Sequence, residues 1–200
     1  MEIHGVLLAA GTGSRFADGN KLLADLDGEP LVRHAAETVL RAAEDGVVDT
    51  LVVVLGHESD RIGAALADMP FDDVRNPDYE RGQATSVGRG ARAVRERGAD
   101  AGVFALGDMP CVDPSTVATV AAGLDDGDAA IAVPIHDGRR GNPVAFGAEH
   151  FEALAAVDGD TGGRNLIGRN PVNRVPVDDP GIHRDVDTVD DLAGLRERCD

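Results

Sequence analysis

The sequence predicts an α/β fold with a largely parallel central sheet. Short apolar runs bounded by glycine, proline or aspartate alternate with amphipathic stretches of helical length along the 200 residues. The early runs are apolar at nearly every position, as in Ile3–Ala9 and Leu51–Leu55, which marks strands buried on both faces. Hydrophobic residues make up 42% and aromatics only 3%, so the core is built from Ala, Val and Leu. No repeats or low-complexity linkers divide the chain, and residues 1–200 read as one domain.

Taken in order, Ile3 to Ala9 is a buried strand, followed by a glycine loop to Asn20. Pro30 opens a helix with apolar Leu31, Ala35, Val39 and Leu40, ending near Gly46. Leu51 to Leu55 is the second strand, Asp60 to Ala67 a helix, and Val74 lies in a short strand before Asn76-Pro77. Thr85 to Arg97 is a helix closed by Gly98, and Ala101 to Leu106 another buried strand. Asp113 caps a helix from Pro114 to Leu124, and Ala129 to Ile135 and Val144 to Phe146 are strands. Phe151 to Val157 is helical, Asn165 to Ile167 a further helical turn, Val172 to Val177 a strand, and Asp190 to Arg198 the closing helix. Thr188 with Asp191 three residues on forms a relative of the capping box.

The formal charge is -17, from 36 acidic and 19 basic side chains. An acidic surface spread along the whole chain suits a salt-loaded cytoplasm and a halophilic source. It excludes a nucleic-acid partner, whose footprint would be basic. No apolar stretch approaches the roughly 18 residues of a membrane span. The first residues enter a strand at once, with no signal peptide visible, so the expected location is cytoplasmic. Cys111 and Cys199 are too few for a disulfide framework or a zinc site, and Cys111 reads as a packing side chain.

Lys21 is the only lysine, against eighteen arginines. It closes the stretch Gly11-Thr12-Gly13-Ser14-Arg15-Phe16, then Ala17-Asp18-Gly19-Asn20-Lys21. A glycine loop after a buried strand cradles phosphates through backbone N–H groups. Phe16 stands where a dinucleotide fingerprint needs its third glycine, no acidic residue follows Leu55, and the Gly-Lys-Ser/Thr of a Walker loop is missing. Arg15 and Lys21 together suit a triphosphate, whose charge must be spread during reaction. Lys21 is expected to be exposed, with substitutions there leaving stability within about 0.5 kcal/mol.

In parallel sheets ligands bind beyond the carboxyl ends of the strands, which selects loops 10–21, 56–58 and 107–111. Asp108, directly after a buried strand, is placed to hold a divalent cation that bridges phosphates. Either Asp185 or Asp187 could complete that site. Arg140 and Asn142 in one glycine loop, and Asp160 and Arg164 in another, suit a phosphorylated second substrate. No Ser-His-Asp or Cys-His arrangement is present, as transfer between phosphates permits.

Five segments in order resemble one family. They are Leu8-Ala9-Ala10-Gly11-Thr12-Gly13-Ser14-Arg15-Phe16 with Lys21-Leu22-Leu23; Gly107-Asp108-Met109-Pro110; Arg140-Gly141-Asn142-Pro143; Gly159-Asp160 with Arg164; and Asp185-Val186-Asp187-Thr188. The chain resembles the MobA-like NTP transferases, and Ala9-Ala10-Gly11 favours the molybdenum cofactor cytidylyltransferase branch. The resemblance implies a Rossmann-like three-layer α/β/α fold of the GT-A nucleotide-diphospho-sugar transferase type. It implies that Leu8, Ala9, Ala10, Gly11 and Gly13 hold the nucleotide, with base contacts from Gly82 to Ser86. Arg15 and Lys21 would bind the triphosphate, and Asp108 and Asp187 would hold Mg2+, making Arg15, Lys21 and Asp108 the catalytic set. Arg140, Asn142, Asp160 and Arg164 would bind the acceptor. The implied reaction moves a nucleoside monophosphate from CTP to molybdopterin and releases pyrophosphate. The implied partners are the NTP, the phosphorylated acceptor and, transiently, molybdoenzyme maturation proteins. Three alternatives stay open: another acceptor such as a sugar phosphate or phospho-hydroxy acid, an NAD-dependent oxidoreductase, and a non-catalytic nucleotide-binding protein.

Overall fold

The computed structural model describes residues 1–13, 16, 19–125, 129–156 and 163–195. In chain order the first half contains β1 (Ile3–Ala9), β2 (Asp25–Leu26), β3 (Glu29–Pro30), α1 (Leu31–Glu44), β4 (Thr50–Leu55), α2 (Ser59–Ala65), β5 (Asp72–Arg75) and α3 (Gln83–Glu96). The second half contains β6 (Ala101–Leu106), α4 (Pro114–Ala122), β7 (Ile131–His136), β8 (Arg139–Arg140), β9 (Val144–Gly147), α5 (Phe151–Ala155), α6 (Arg164–Arg169), β10 (Asn173–Pro176) and α7 (Val189–Leu195).

One sheet runs β10-β7-β9-β6-β1-β4-β5, with β8 beside β7. β1 lies at its heart, parallel to β4 (Val6 opposite Val52) and to β6 (Val6 opposite Phe104). All seven of its residues are buried. Leu7 and Ala9 point to the face covered by α1, α2, α4 and α7, and Val6, Leu8 and Ala10 to the face covered by α3 and α5. This is the three-layer arrangement expected, and it explains why β1 is apolar throughout. Leu31, Val32, Ala35, Val39 and Ala42 form the buried stripe of α1 at helical spacing. On the other face Gly90 of α3 lets that helix press against β1, since a Cβ there would stand 2.6 Å from Val6 Cγ1. Each fully buried Val or Leu contributes about 1.5–3 kcal/mol.

The sheet is not wholly parallel. β9 runs antiparallel to both β6 and β7, which reverses the chain between them. Two hairpins add to the expected elements. Asp27 and Gly28, both at positive φ (55° and 92°), join β2 to β3. Asp137 and Gly138 (50° and 72°) join β7 to β8. Asp137-Gly138 is therefore a two-residue hairpin turn, with Arg140 on the strand that follows it. Two turns play the capping roles expected of them: Asp113 accepts from Ser115 N at the start of α4, and Thr188 with Asp191 starts α7. Among the described residues no helix is long and apolar enough to cross a membrane.

Candidate active site

Because β6, β1, β4 and β5 are parallel neighbours, their carboxyl ends lie in a row. The loops that follow them wall a cleft of about 470 Å³. Leu8, Ala10, Gly11, Gly13, Lys21, Gly82, Ser86, Asp108 and Asp187 all line it, as does Arg164. Ala9 is the exception. It is fully buried in the core on the other face, so only its backbone could serve a ligand. Arg15 and Asp160 lie outside the described residues.

Lys21 begins a short 3-10 turn, Lys21–Leu23, which Asn20 caps by accepting from Leu22 N at 3.1 Å. The turn packs on Gly13, whose φ is +57° and whose Cβ, if it had one, would stand 3.2 Å from Lys21 Cγ. The side chain is not the exposed one expected. It is only 12% exposed, and its ammonium donates to Asp108 Oδ2 at 2.7 Å and Asp187 Oδ1 at 3.0 Å. Burial alone would lower the Lys21 pKa, but the charge of Asp108 and hydrogen bonds to both carboxylates outweigh it, and the net direction is upward. Lys21 is therefore charged at neutral pH.

Main-chain hydrogen bonds hold the two carboxylates in place. Gly107 N donates to Leu8 O at 3.0 Å, which ties the Asp108 loop to β1. Val186 N donates to Asp108 O at 2.9 Å, which brings the last loop alongside. Asp191 then fixes Asp187 from behind, because its Oδ2 accepts from Asp187 N (3.1 Å), Thr188 N (2.8 Å) and Thr188 Oγ1 (2.7 Å). The Thr188 hydroxyl bond first, and then the two backbone N–H groups, lower the Asp191 pKa. The donors converging at Lys21 are hard carboxylate oxygens gathered around one cationic point, which is the chemistry a divalent cation such as Mg2+ needs. Among the described residues a separate group, Glu29, His34 and Glu37, has ligand atoms within 4.8 Å of one another, but none of the three lines the cleft.

The β4–β5 side of the cleft carries Gln83, within the segment expected to contact the base, and two residues that the sequence reading missed, Tyr79 and Glu80. Gly56 permits the approach of Tyr79, since a Cβ on Gly56 would lie 2.8 Å from Tyr79 Cβ and 2.7 Å from Ala10 O. Asn76, 2% exposed, donates to Thr85 Oγ1 (2.9 Å) and Ser86 Oγ (3.0 Å) while accepting from Asp78 N (3.1 Å). Ser86 Oγ is thus an acceptor toward Asn76, and the residue lines the cleft. No side chain caps α3 at Gly82, and Gly82, Gln83 and Ser86 of its first turn line the cleft.

A second cleft of about 260 Å³ adjoins the first and shares Leu8, Gln83, Leu106 and Arg164 with it. Arg140, Asn142 and Arg164 supply its polar rim, so three of the four expected acceptor residues meet here. Its wall is apolar, from Val87, Phe104, Val144, Phe146 and Ile167, with Phe104 and Phe146 edge to face at 5.7 Å. Cys111, expected to be a packing thiol, is disulfide-bonded and so is no nucleophile.

The sheet and the cleft at its carboxyl edge define a nucleotidyltransferase. The chain belongs to the MobA-like NTP transferase family, whose model matches residues 5–175. It is 32% identical over 201 residues to nicotine blue oxidoreductase of Paenarthrobacter nicotinovorans, spanning 96% of each chain. It is 28% identical over 212 residues to a probable molybdenum cofactor guanylyltransferase of Natronomonas pharaonis, spanning 98% of each. Among solved structures it resembles a nucleotidyl transferase from Methanothermobacter thermautotroptrophicus, with TM-score 0.83 and 26% identity over 99% of this chain and 97% of that one. It also resembles the manganese complex of Rv0371C from Mycobacterium tuberculosis H37Rv, with TM-score 0.75 and 28% identity over 99% of this chain and 100% of that one.

Proposed function

We propose that the protein transfers a nucleoside monophosphate from an NTP, CTP before the others, to the phosphate of an acceptor, molybdopterin before the others. Pyrophosphate is the second product. One observation carries this reading: Lys21, Asp108 and Asp187 meet at the phosphate loop, inside a polar cleft sized for a nucleotide that adjoins a second cleft rimmed by arginine. The N–H groups from Gly11 to Gly13 and the Ser86 hydroxyl bind and orient the NTP. Arg140, Asn142 and Arg164 bring the acceptor phosphate to the α-phosphorus. An acceptor oxygen forms the new P–O bond as the bond to the β-phosphate breaks, and the leaving charge falls toward Lys21. The attacking oxygen is already ionised at neutral pH, so no side chain has to remove a proton. Mg2+ held by Asp108 and Asp187 would neutralise phosphate charge. The guanylyltransferase name of the Natronomonas relative supports the acceptor and makes GTP the competing nucleotide. A cytoplasmic location and transient contact with molybdoenzyme maturation proteins belong to the same reading. Pyrophosphate release with each of four NTPs, with and without molybdopterin, tests it. Release that needs a sugar phosphate or a phospho-hydroxy acid instead would replace the acceptor.

A second reading is favoured by the name of the Paenarthrobacter relative, an oxidoreductase. In it the apolar second cleft takes an aromatic compound and the first takes a nicotinamide dinucleotide. The missing third glycine at Phe16 weighs against it. Oxidation of NADH in the presence of nicotine blue, with no pyrophosphate release from any NTP, would establish it.

A further inference from the structure

The ammonium of Lys21 stands on the point where Asp108 and Asp187 converge, within 3.0 Å of an oxygen of each. We propose that Lys21 and a divalent cation compete for these two carboxylates. The free protein keeps its lysine there, and metal enters together with a nucleotide whose phosphates draw the ammonium away. This rests on the nucleotidyl-transfer reading.

The backbones that carry the two carboxylates are tied down. Val186 N holds the Asp108 carbonyl, and Asp191 holds the backbone of Asp187. The movable group is the lysine, a single ammonium on four rotatable bonds. Its alternative partner lies in the same cleft, since Gly11, Thr12 and Gly13 line the wall against which Lys21 packs. A turn of the lysine side chain about its own bonds would carry Nζ from a carboxylate toward a phosphate held by that loop. A second cation placed between the same oxygens would meet Lys21 at close range, and the side chains, 12%, 22% and 23% exposed, are shielded from screening by salt. Metal and nucleotide then help one another, and by linkage each raises the affinity for the other by the same factor.

The test is a titration with Mn2+ read by the electron paramagnetic resonance of free ion, with and without a non-hydrolysable CTP or GTP analogue. Wild type should bind Mn2+ at the site weakly alone and at least tenfold more tightly with analogue. Lys21→Gln and Lys21→Met should bind it at least tenfold more tightly than wild type without nucleotide, and should gain less from the analogue. Adding Asp108→Asn to Lys21→Gln should abolish this binding. The proposal is overturned if both lysine variants bind Mn2+ no better than wild type, or if the extra binding survives Asp108→Asn. Failure of the transfer reading looks different. No analogue would bind to any form, while the nucleotide-free comparison would still decide the competition.

Discussion

The backbone N–H of Val186 donates to the carbonyl of Asp108 at 2.9 Å, joining two segments almost eighty residues apart in the chain. It sets the loop carrying Asp187 beside the loop carrying Asp108, and Lys21 closes the gap between the side chains. A pair of carboxylates held this way by main chain is preorganised, and its loss should be felt in catalysis more than in folding.

Asp108→Asn and Asp187→Asn should therefore each abolish transfer while the protein stays folded. Losing one charge from the pair should cost several kcal/mol of transition-state stabilisation. Single-turnover rates at saturating Mg2+, alongside thermal melts, check this. Near-native rates in both variants would move the metal elsewhere.

Lys21→Arg should lose most activity although charge is conserved, because a planar fork is not a point charge. Lys21→Ala should lose slightly more. Its burial changes the stability expectation. Removing the ammonium leaves two largely buried carboxylates without it, at a cost of about 1–2 kcal/mol once partial exposure is discounted. Urea unfolding of both variants measures that cost, and an unchanged midpoint for Lys21→Ala would contradict it.

Asp191 should matter to both stability and activity, because one of its oxygens starts α7 and also holds Asp187 N. Thr188→Ala should cost about 1 kcal/mol as a lost helix cap. The Asp191 pKa is lowered in the folded state, so its contribution is present above the ordinary value of 3.8 and is lost as pH falls through the depressed one. The melting difference between wild type and Asp191→Asn should be constant from neutral pH down to about 4 and should close below that. A difference that vanished already at pH 6 would argue against this role.

Gly56→Ala should weaken nucleotide binding. A Cβ there would lie 2.7 Å from Ala10 O and 2.8 Å from Tyr79 Cβ, so the cleft wall must shift. Overpacking of this kind costs about 1–3 kcal/mol. Calorimetry with CTP and GTP reads the effect, and unchanged affinity for both would place Tyr79 outside the binding wall.

Much of this was legible in the sequence because it was local. The strand at Ile3–Ala9, the Asp113 cap and the Thr188–Asp191 pair each follow from residues within a few positions of one another. Asp27-Gly28 and Asp137-Gly138 were also local, as hairpin signals at positive φ, but the sequence reading passed over both turns. The reversal of β9 was not legible, since four apolar residues carry no direction. Phe104, Val144 and Phe146 read as ordinary core, and only the turn of β9 against β6 opens a cleft beside them. The burial of Lys21 was missed because its two partners are distant in sequence and aspartates are everywhere in this chain.

Ligand-induced stabilisation separates the two readings of the cleft. With Mg2+, an NTP at about 100 times its dissociation constant should raise stability by roughly 2.7 kcal/mol, and NAD should not. A shift with NAD but with no NTP would favour the oxidoreductase.

The most direct measurement is the initial rate of pyrophosphate release by wild type and Asp108→Asn, with Mg2+, each NTP in turn, and molybdopterin as acceptor. Acceptor-dependent release with CTP or GTP by wild type, lost in Asp108→Asn, is the predicted result. No release by wild type from any NTP with molybdopterin, a sugar phosphate or a phospho-hydroxy acid would contradict nucleotidyl transfer at this site.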